Sequence, residues 1–274
     1  MRIQSNFVIL FAGSLIGLSG CVPAEEAVRP RFEPREVIDL GTVVTEDLPE
    51  RIWGKALLTQ FAPLGLDRLN TFDVIEWELG EEADRFSGSN AYYELFNHGG
   101  PHVDAPRHVS LGGGLDSYPI EVFSGPVKVF DAREFPNGHT IPEEMFRGSV
   151  SAGDVVLVLT GYVPPRTDEA TPEFSALTPA AAEYLASLPV KAYGTDALSV
   201  DPLGAAPIQA ESATERAVPV HYAFLSRAIP IYEGLFNLDR LLDSPESDSM
   251  YFVGVPLNIQ NGDGMLVRPV VFIY

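Results

Sequence analysis

The chain lacks several features by which common protein classes are recognised. It has one cysteine in 274 residues, which excludes a disulfide scaffold and a metal site built from several thiolates. Its 18 basic residues are outnumbered by 38 acidic ones, and the formal charge of −20 argues strongly against nucleic acid and disfavours direct binding to anionic lipid headgroups. The sequence contains no Gly-x-Ser-x-Gly motif, and its one triple glycine is followed by Leu-Asp-Ser rather than by lysine. Serine-hydrolase chemistry and a phosphate-binding loop are therefore not indicated.

Only the N-terminal segment contains a long hydrophobic run. Residues 7–18 are apolar apart from Gly and Ser, and Arg2 is the only charged residue before them. The run is too short to span a bilayer, so residues 1–20 are predicted to be a secretory signal peptide. Residues 21–35 are polar and proline-rich, which predicts a tether to the domain that follows.

The single cysteine, Cys21, lies at the end of this signal. The sequence Leu18-Ser19-Gly20-Cys21 resembles the bacterial lipobox, in which the cysteine becomes the lipidated first residue of the mature protein. Val22 rather than aspartate follows it, which by resemblance favours the outer membrane. The sequence therefore predicts an exported protein that faces the periplasm and touches the membrane only through its lipid. An ordinary signal with an incidental cysteine is the alternative.

Residues 36–274 are long enough for one domain with a full core, and no internal repeat is present. Apolar, β-branched runs predict buried strands: Glu36–Leu40, Val127–Phe130, Val155–Leu159, Ile229–Tyr232, Tyr251–Val255 and Val267–Tyr274. Thr178-Pro179 predicts the start of a helix through Leu188, and a second helix is expected over His221–Arg227. Residues 202–219 are predicted to be a loop. Strands outnumber helices and alternate with them only in the second half, so we expect a mixed α/β domain.

Three of the five histidines lie within eleven residues, in a segment that also contains Asp104. Prolines at 101 and 106 argue against a continuous helix. In an extended strand, His102 and Asp104 would point to the same face, with His108 reachable after a turn and His98 brought in by the Gly-Gly bend before it. Imidazole and carboxylate are ligands that Zn²⁺, Mn²⁺ or Fe²⁺ would choose. The segment therefore predicts a metal site, with a surface loop of hydrogen-bonded histidines as the alternative.

The spacing of this segment is similar to a known signature. The pattern His98-x-Gly100-x-His102-x-Asp104-x-Pro106-x-His108 resembles that of the metal-dependent cyclase family, which includes bacterial kynurenine formamidase and isatin hydrolase. Further stretches resemble the same family: residues 37–40, 194–201, 233–238, 256–259 and 264–268, together with a His and a Glu twelve apart at 221 and 233.

The resemblance implies both a site and a fold. The metal ligands would be His98, His102, Asp104, His221 and Glu233. They would hold one or two ions of Zn²⁺ or Mn²⁺, with His108 beside the metal as general acid/base. The fold would be a mixed sheet with a barrel-like core and flanking helices, of the swivelling β/β/α kind, in a homodimer or homotetramer.

The activity implied is hydrolysis of a small amide, either an N-formyl aryl amine or a cyclic amide such as a lactam, by a metal-bound water. Trp53 and Phe96 could contact an aryl substrate, although aromatic residues are more often core than ligand-facing. Two differences from the family pattern bear on the identity of the substrate. Pro101 stands where the family usually has a small residue, and the 201–221 connection is longer than a formamidase would need.

Other classes of function remain open at this stage. A metal- or solute-binding envelope lipoprotein could keep the same fold without turnover. His108 separates the two hypotheses, because a pure binder has no reason to retain a general base. A cytoplasmic dehydratase or cyclase would share the metal site, but the export signal counts against it. A scaffold lipoprotein needs none of these histidines.

Overall fold

A computed structural model describes residues 33–80, 84–164, 172–203, 207–244 and 249–274. The predicted signal peptide, Cys21 and most of the tether lie outside these residues. Within them, no helix has the length and apolar character that crossing a membrane requires.

Thirteen strands and six helices are present in the described residues. The strands are β1 Glu36–Asp39, β2 Thr71–Leu79, β3 Phe86–Glu94, β4 His102–Asp104, β5 Ser124–Asp131, β6 Thr140–Ile141, β7 Val155–Leu159, β8 Ala176–Leu177, β9 Ala192–Thr195, β10 Ile231–Glu233, β11 Met250–Val253, β12 Gly264–Leu266 and β13 Val270–Ile273. The helices are α1 Leu48–Trp53, α2 Lys55–Phe61, α3 Pro179–Ser187, α4 Ala213–Ala217, α5 Pro219–Leu225 and α6 Asp239–Leu242.

Nine of the strands form one mixed sheet in the order β1-β13-β11-β5-β7-β9-β10-β4-β12. The four central strands β5, β7, β9 and β10 run parallel to one another, and their neighbours on both sides pair antiparallel. All five residues of β7 are buried, as expected for a parallel strand covered on both faces. One core cluster includes residues of α3 and α5, and a second includes residues of β1, β11 and β13. The predicted mixed α/β fold is confirmed.

The predicted helices are found, but the predicted loop between residues 202 and 219 is wrong in part. Helix α3 begins as expected, with the Thr178 hydroxyl accepting a hydrogen bond from the Ala181 amide. Helix α5 begins at Pro219, before the predicted start. Helix α4 lies inside the predicted loop, because Ser212 accepts a hydrogen bond from the Glu215 amide and so caps a short Ala-Thr-Glu-Arg-Ala turn.

The position of β4 in the sheet determines what surrounds its side chains. β4 lies between β10 and β12, and both neighbours run antiparallel to it. Its register sets Glu233 opposite His102 on one side and Gly264 opposite Asp104 on the other. Residues that are far apart in the sequence are therefore brought to the same strand.

Candidate metal centre

The centre is built on the three-residue strand β4. His102 and Asp104 are two residues apart and both buried, and His102 Nε2 lies 3.4 Å from Asp104 Oδ1. After the strand, a 3₁₀ turn over Pro106–Val109 brings His108 back toward it. The local geometry expected from the prolines, an extended strand followed by a turn, is confirmed.

Two further residues reach the same centre from the second half of the chain. Glu233 Oε2 lies 3.4 Å from His102 Nε2, as the β4–β10 register requires. His221, on α5, places its Nε2 3.4 Å from Glu233 Oε1 and 3.8 Å from Asp104 Oδ2. The Val200 amide donates to Glu233 Oε1 at 2.7 Å and fixes that carboxylate. The structure thus brings both halves of the predicted ligand set together.

The fifth predicted ligand, His98, lies on the other side of Asp104. Its Nδ1 is 3.0 Å from Asp104 Oδ1, and its ring centre is 4.7 Å from that of His102. The Trp53 indole donates to the His98 carbonyl at 2.8 Å, so the backbone here is held by α1. The other four predicted ligands therefore lie around the buried carboxylate of Asp104.

Each of the three buried histidines is held by its outward nitrogen. Nδ1 of His102 lies 2.8 Å from the Gly100 carbonyl, and Nδ1 of His221 lies 2.7 Å from Asp201 Oδ2. Because each of these acceptors takes one ring proton, the opposite nitrogen, which faces Asp104, is the one that can bind a metal. Metal-binding histidines are typically oriented in this way.

His98 follows the same rule with the opposite nitrogen. Its Nε2 lies 3.1 Å from Asp263 Oδ2, which leaves Nδ1 directed at Asp104. The ring also lies against the backbone of Gly264, where an added Cβ would be 2.5 Å from His98 Cε1. A glycine at 264 is therefore required by the position of this ring.

The inward-facing atoms fit a divalent cation. Four buried atoms in this cluster have no hydrogen-bond partner among the described residues: His98 Nδ1, Asp104 Oδ1, Asp104 Oδ2 and His221 Nε2. Buried polar atoms are rarely left unpaired without a reason. Two overlapping groups have the spacing of a metal site, and both contain Asp104: His98, Asp104 and His108, and His102, Asp104 and Glu233. Nitrogen and oxygen ligands without sulfur suit Zn²⁺ or Mn²⁺.

The buried carboxylates of the cluster also favour positive charge at this position. Burial alone lowers the pKa of His102, but Asp104 and Glu233 outweigh it and raise the pKa to about 10. Burial likewise opposes protonation of His221, whose pKa the carboxylates of Asp201, Glu233 and Asp104 raise to about 9. Burial raises the pKa of Asp104, yet the surrounding histidines hold it well below its usual range. Without a metal, protons on the histidines balance the carboxylates.

His108 lies at the open edge of this cluster. Its side chain is 30% exposed, whereas the five predicted ligands are buried. Its ring centre lies 4.3 Å from that of His98 and 5.5 Å from that of His221. It is therefore adjacent to the centre and open to solvent. It is also close enough to His98 and Asp104 to belong to one of the two groups of residues that have the spacing of a metal site.

Two carboxylates of the site were not predicted as site residues. Asp201 ends the 194–201 segment, but nothing in the pattern indicates that it accepts from the Val220 amide, the His221 amide and the His221 ring. Asp263 lies between two glycines and contacts His98 and His108. The two histidines lower the pKa of Asp263 far below its usual value, and His108 has the larger effect. The Gly-Asp-Gly sequence marks a turn, and only the tertiary contacts reveal its partners.

The two aromatic residues proposed for substrate contact lie next to His98. The Trp53 ring packs at 5.7 Å from Phe61 and 5.5 Å from Phe96, and Phe96 lies 6.3 Å from the His98 ring. Both side chains are half-buried. They form part of the wall on the His98 side, and contact with a substrate stays a prediction. His139, the fifth histidine, is exposed as expected.

Comparisons with known proteins agree with this geometry. A family model described as "Putative cyclase" matches residues 38–202, which include the 98–108 segment and end before His221. The chain is 30% identical to a kynurenine formamidase of Salinibacter ruber over 197 residues, 71% of this chain and 85% of that one. It is 31% identical to a kynurenine formamidase of Bordetella avium over 64% of this chain and 76% of that one.

Solved structures show the same fold. An isatin hydrolase bound to the product analogue thioisatinate has a TM-score of 0.60 at 23% identity, and the match covers 87% of this chain and 92% of that one. A structure described as a novel cyclase has a TM-score of 0.62 at 15% identity over 86% of each chain. At these identities the likeness is one of fold, a large curled mixed sheet with few helices.

Proposed function

This chain is a metal-dependent amide hydrolase of the cyclase family, and we propose that its substrate is a small N-formyl aryl amine or a cyclic amide such as a lactam. We further propose that His108 is the general acid/base. One observation carries the proposal. Buried, unpaired nitrogen and oxygen atoms of His98, Asp104 and His221 lie together, with the partly exposed His108 at the edge.

We assign the metal to His98, His102, Asp104, His221 and Glu233, with Zn²⁺ or Mn²⁺ as the ion. Asp104 belongs to both groups of residues with metal-site spacing, so these residues would hold either one ion or two. A divalent ion would supply Lewis acidity, which polarises an amide carbonyl and lowers the pKa of water to near 7.

The residues of the chain account for the proton transfers. The His108 side chain is partly exposed at the solvent edge, and an imidazole there can accept a proton from water and return it to the leaving amine. Asp201 and the Gly100 carbonyl orient the rings of His221 and His102, and with a metal on their opposite nitrogens these rings would not accept that proton.

The aromatic character of the His98 side supports an aryl substrate. Trp53 and Phe96 pack near the centre with ring centres 5.5 Å apart and planes inclined at 49°, and an aromatic substrate ring can pack against such edges and faces. The named relatives act on kynurenine-type formamides or are isatin hydrolases, and both names describe aryl amides. We therefore place N-formylkynurenine and isatin first among candidate substrates.

The test combines metal analysis with a hydrolysis screen over N-formylkynurenine, isatin and simple lactams. Wild type should bind the metal and turn over one of these amides. His108→Ala should keep its metal and lose about 10²–10⁴ in kcat, whereas His102→Ala should lose both. If His108→Ala strips the metal, His108 is a ligand. If wild type binds metal tightly but hydrolyses no amide, the binding-lipoprotein hypothesis replaces this one.

We also propose that the protein is exported and lipidated at Cys21, as an outer-membrane lipoprotein facing the periplasm. The lipobox-like ending of the signal and the absence of any other cysteine support this. Wild type should incorporate labelled palmitate, and Cys21→Ser should not. Labelling that persists in Cys21→Ser would contradict the proposal, because no other thiol exists in the chain.

The assembly proposed from the family resemblance is a homodimer or homotetramer. Light scattering on residues 36–274 measures it directly. A monomer at micromolar concentration would refute the proposed assembly without affecting the hydrolase assignment.

A further inference from the structure

One carboxylate at the open edge of the centre contacts two histidine rings. Asp263 Oδ2 lies 3.1 Å from His98 Nε2 and 3.9 Å from His108 Nδ1. The two rings lie 4.3 Å apart at an interplanar angle of 33°, so they are close to stacked. A single oxygen atom therefore lies beside the rings of a predicted ligand and of the predicted acid/base.

The carboxylate is held in this orientation by its own surroundings. Asn97 Nδ2 donates to the second oxygen, Asp263 Oδ1, at 2.9 Å. The Asp263 carbonyl accepts from the Ala105 amide at 2.9 Å, and the next residue, Gly264, pairs with Asp104 across β12 and β4. Its backbone is thus part of the sheet that carries the centre, although the side chain is 46% exposed.

The geometry points to Asp263 as a positioning residue: we propose that it holds His108 in place over His98 and sets which nitrogen of each ring is free. The inference rests on the proposed function of His108. With Nδ1 of His108 directed at Asp263, Nε2 is the nitrogen left to exchange protons with water and the leaving amine. With Nε2 of His98 donating to the same oxygen, Nδ1 keeps its lone pair for a metal.

The first experiment compares Asp263→Ala, Asp263→Asn and the control Asp116→Asn in the metal-loaded enzyme. Asp116 is a suitable control because its Oδ1 accepts from the Asn261 amide in the same turn and neither histidine lies in that contact. We expect Asp263→Ala to lower kcat by about 10–100-fold, with KM changed by less than about 3-fold. Asp263→Asn should recover part of the loss, because its amide oxygen can still accept from a ring nitrogen. Asp116→Asn should stay within about 2-fold of wild type.

A double variant separates positioning from a general structural effect. If Asp263 acts through His108, adding Asp263→Ala to His108→Ala should lower kcat by no more than about 3-fold at saturating metal. If the two losses multiply, Asp263 acts independently of His108 and the inference is wrong. It is also wrong if Asp263→Ala retains wild-type kcat, or if Asp116→Asn loses as much as Asp263→Ala.

The second experiment does not depend on turnover. The chain has only five histidines, so ¹⁵N-labelling of histidine gives resolvable ring signals with and without zinc. In wild type, the proton should reside on Nδ1 of His108. Asp263→Ala should convert this to a mixture of tautomers or to Nε2–H, and Asp263→Asn should retain more of the Nδ1–H form than Asp263→Ala does. Unchanged tautomers in both folded variants would overturn the inference. Absence of amide hydrolysis in wild type with the tautomer shift present would refute the proposed function alone.

Discussion

On each of two sides of the centre an aspartate holds a histidine, but the aspartate is buried on one side and exposed to solvent on the other. On one side, His221 is held by Asp201, and both residues are buried. On the other, His98 and His108 share Asp263, whose side chain is 46% exposed. We call these the closed side and the open side. Asp104, fully buried, lies between them.

Because their aspartates differ in exposure to solvent, the two sides of the centre have different functions. Asp201 accepts from two backbone amides as well as from the His221 ring, so it fixes both the start of α5 and the ring that α5 carries. The Asp263 side chain has two hydrogen-bond partners, Asn97 and His98, and it is open to water, which screens its charge. The closed side fixes geometry, and the open side is where a substrate can approach and a proton can be exchanged. Equivalent substitutions on the two sides should therefore have unequal effects.

The largest effect is expected where the two sides meet. Asp104→Asn should abolish metal binding and reduce hydrolysis to the uncatalysed background, because Asp104 belongs to both groups of residues that have the spacing of a metal site. The measurement is metal stoichiometry of the folded variant beside kcat/KM. An Asp104→Asn protein that retains the full metal content would show that the two sides do not share this ligand.

On the closed side, Asp201→Asn should weaken metal binding by about 10–100-fold. It should also lower the free energy of unfolding of the metal-free protein by about 1–3 kcal/mol, because a charged acceptor for buried amides is lost. Zinc competition and urea denaturation measure the two effects. On the open side, Asp263→Asn should leave the unfolding free energy within about 0.5 kcal/mol of wild type. Equal destabilisation by the two variants would remove the distinction between the sides.

The metal-free protein should lose stability as the pH rises. His102 and His221 have folded pKa values raised to about 10 and about 9, against an ordinary value of 6.5. Groups whose pKa is raised on folding stabilise the protein fully below pH 6.5, and this contribution disappears as the pH rises through 9 and 10. We expect Tm of the metal-free protein to fall by at least about 3 °C from pH 7 to pH 10, the shift that ~1 kcal/mol produces in a domain of this size.

The zinc-loaded protein is the control for that measurement. Its histidine nitrogens bind metal instead of protons, so Tm should change less over the same range. An equal fall in both forms would mean that the centre does not cause the pH dependence.

The smallest effect concerns the wall of the open side. Trp53→Phe keeps the ring packing against Phe61 and Phe96 but removes the indole donor to the His98 carbonyl. We expect a loss of about 0.5–1.5 kcal/mol in unfolding free energy, with metal content unchanged. Urea denaturation of the metal-loaded protein measures it. Loss of the metal in this variant would show that Trp53 supports the centre more strongly than one hydrogen bond allows.

The sequence alone predicted much of the centre and less of its surroundings. The 98–108 segment predicted the strand, the turn and the shared face of His102 and Asp104, because prolines and strand alternation act over a few residues. It did not predict the exposed hairpin of β2 and β3, since strands were inferred from buried apolar runs and most of this hairpin is exposed. It also missed α4, although Ser212 and Glu215 have the spacing of a capping box, because the helix has only five residues.

By itself, the sequence determined the mixed α/β class, the N-cap of α3 and the short-range arrangement around β4. The family resemblance had already named Glu233 and His221, and the tertiary structure shows how they reach the centre: the β4–β10 register sets Glu233 opposite His102, and the packing of α5 brings in His221. It also decided that Asp201 is buried while Asp263 is exposed. Burial and long-range pairing follow from how strands and helices pack, which residue spacing along one segment cannot specify.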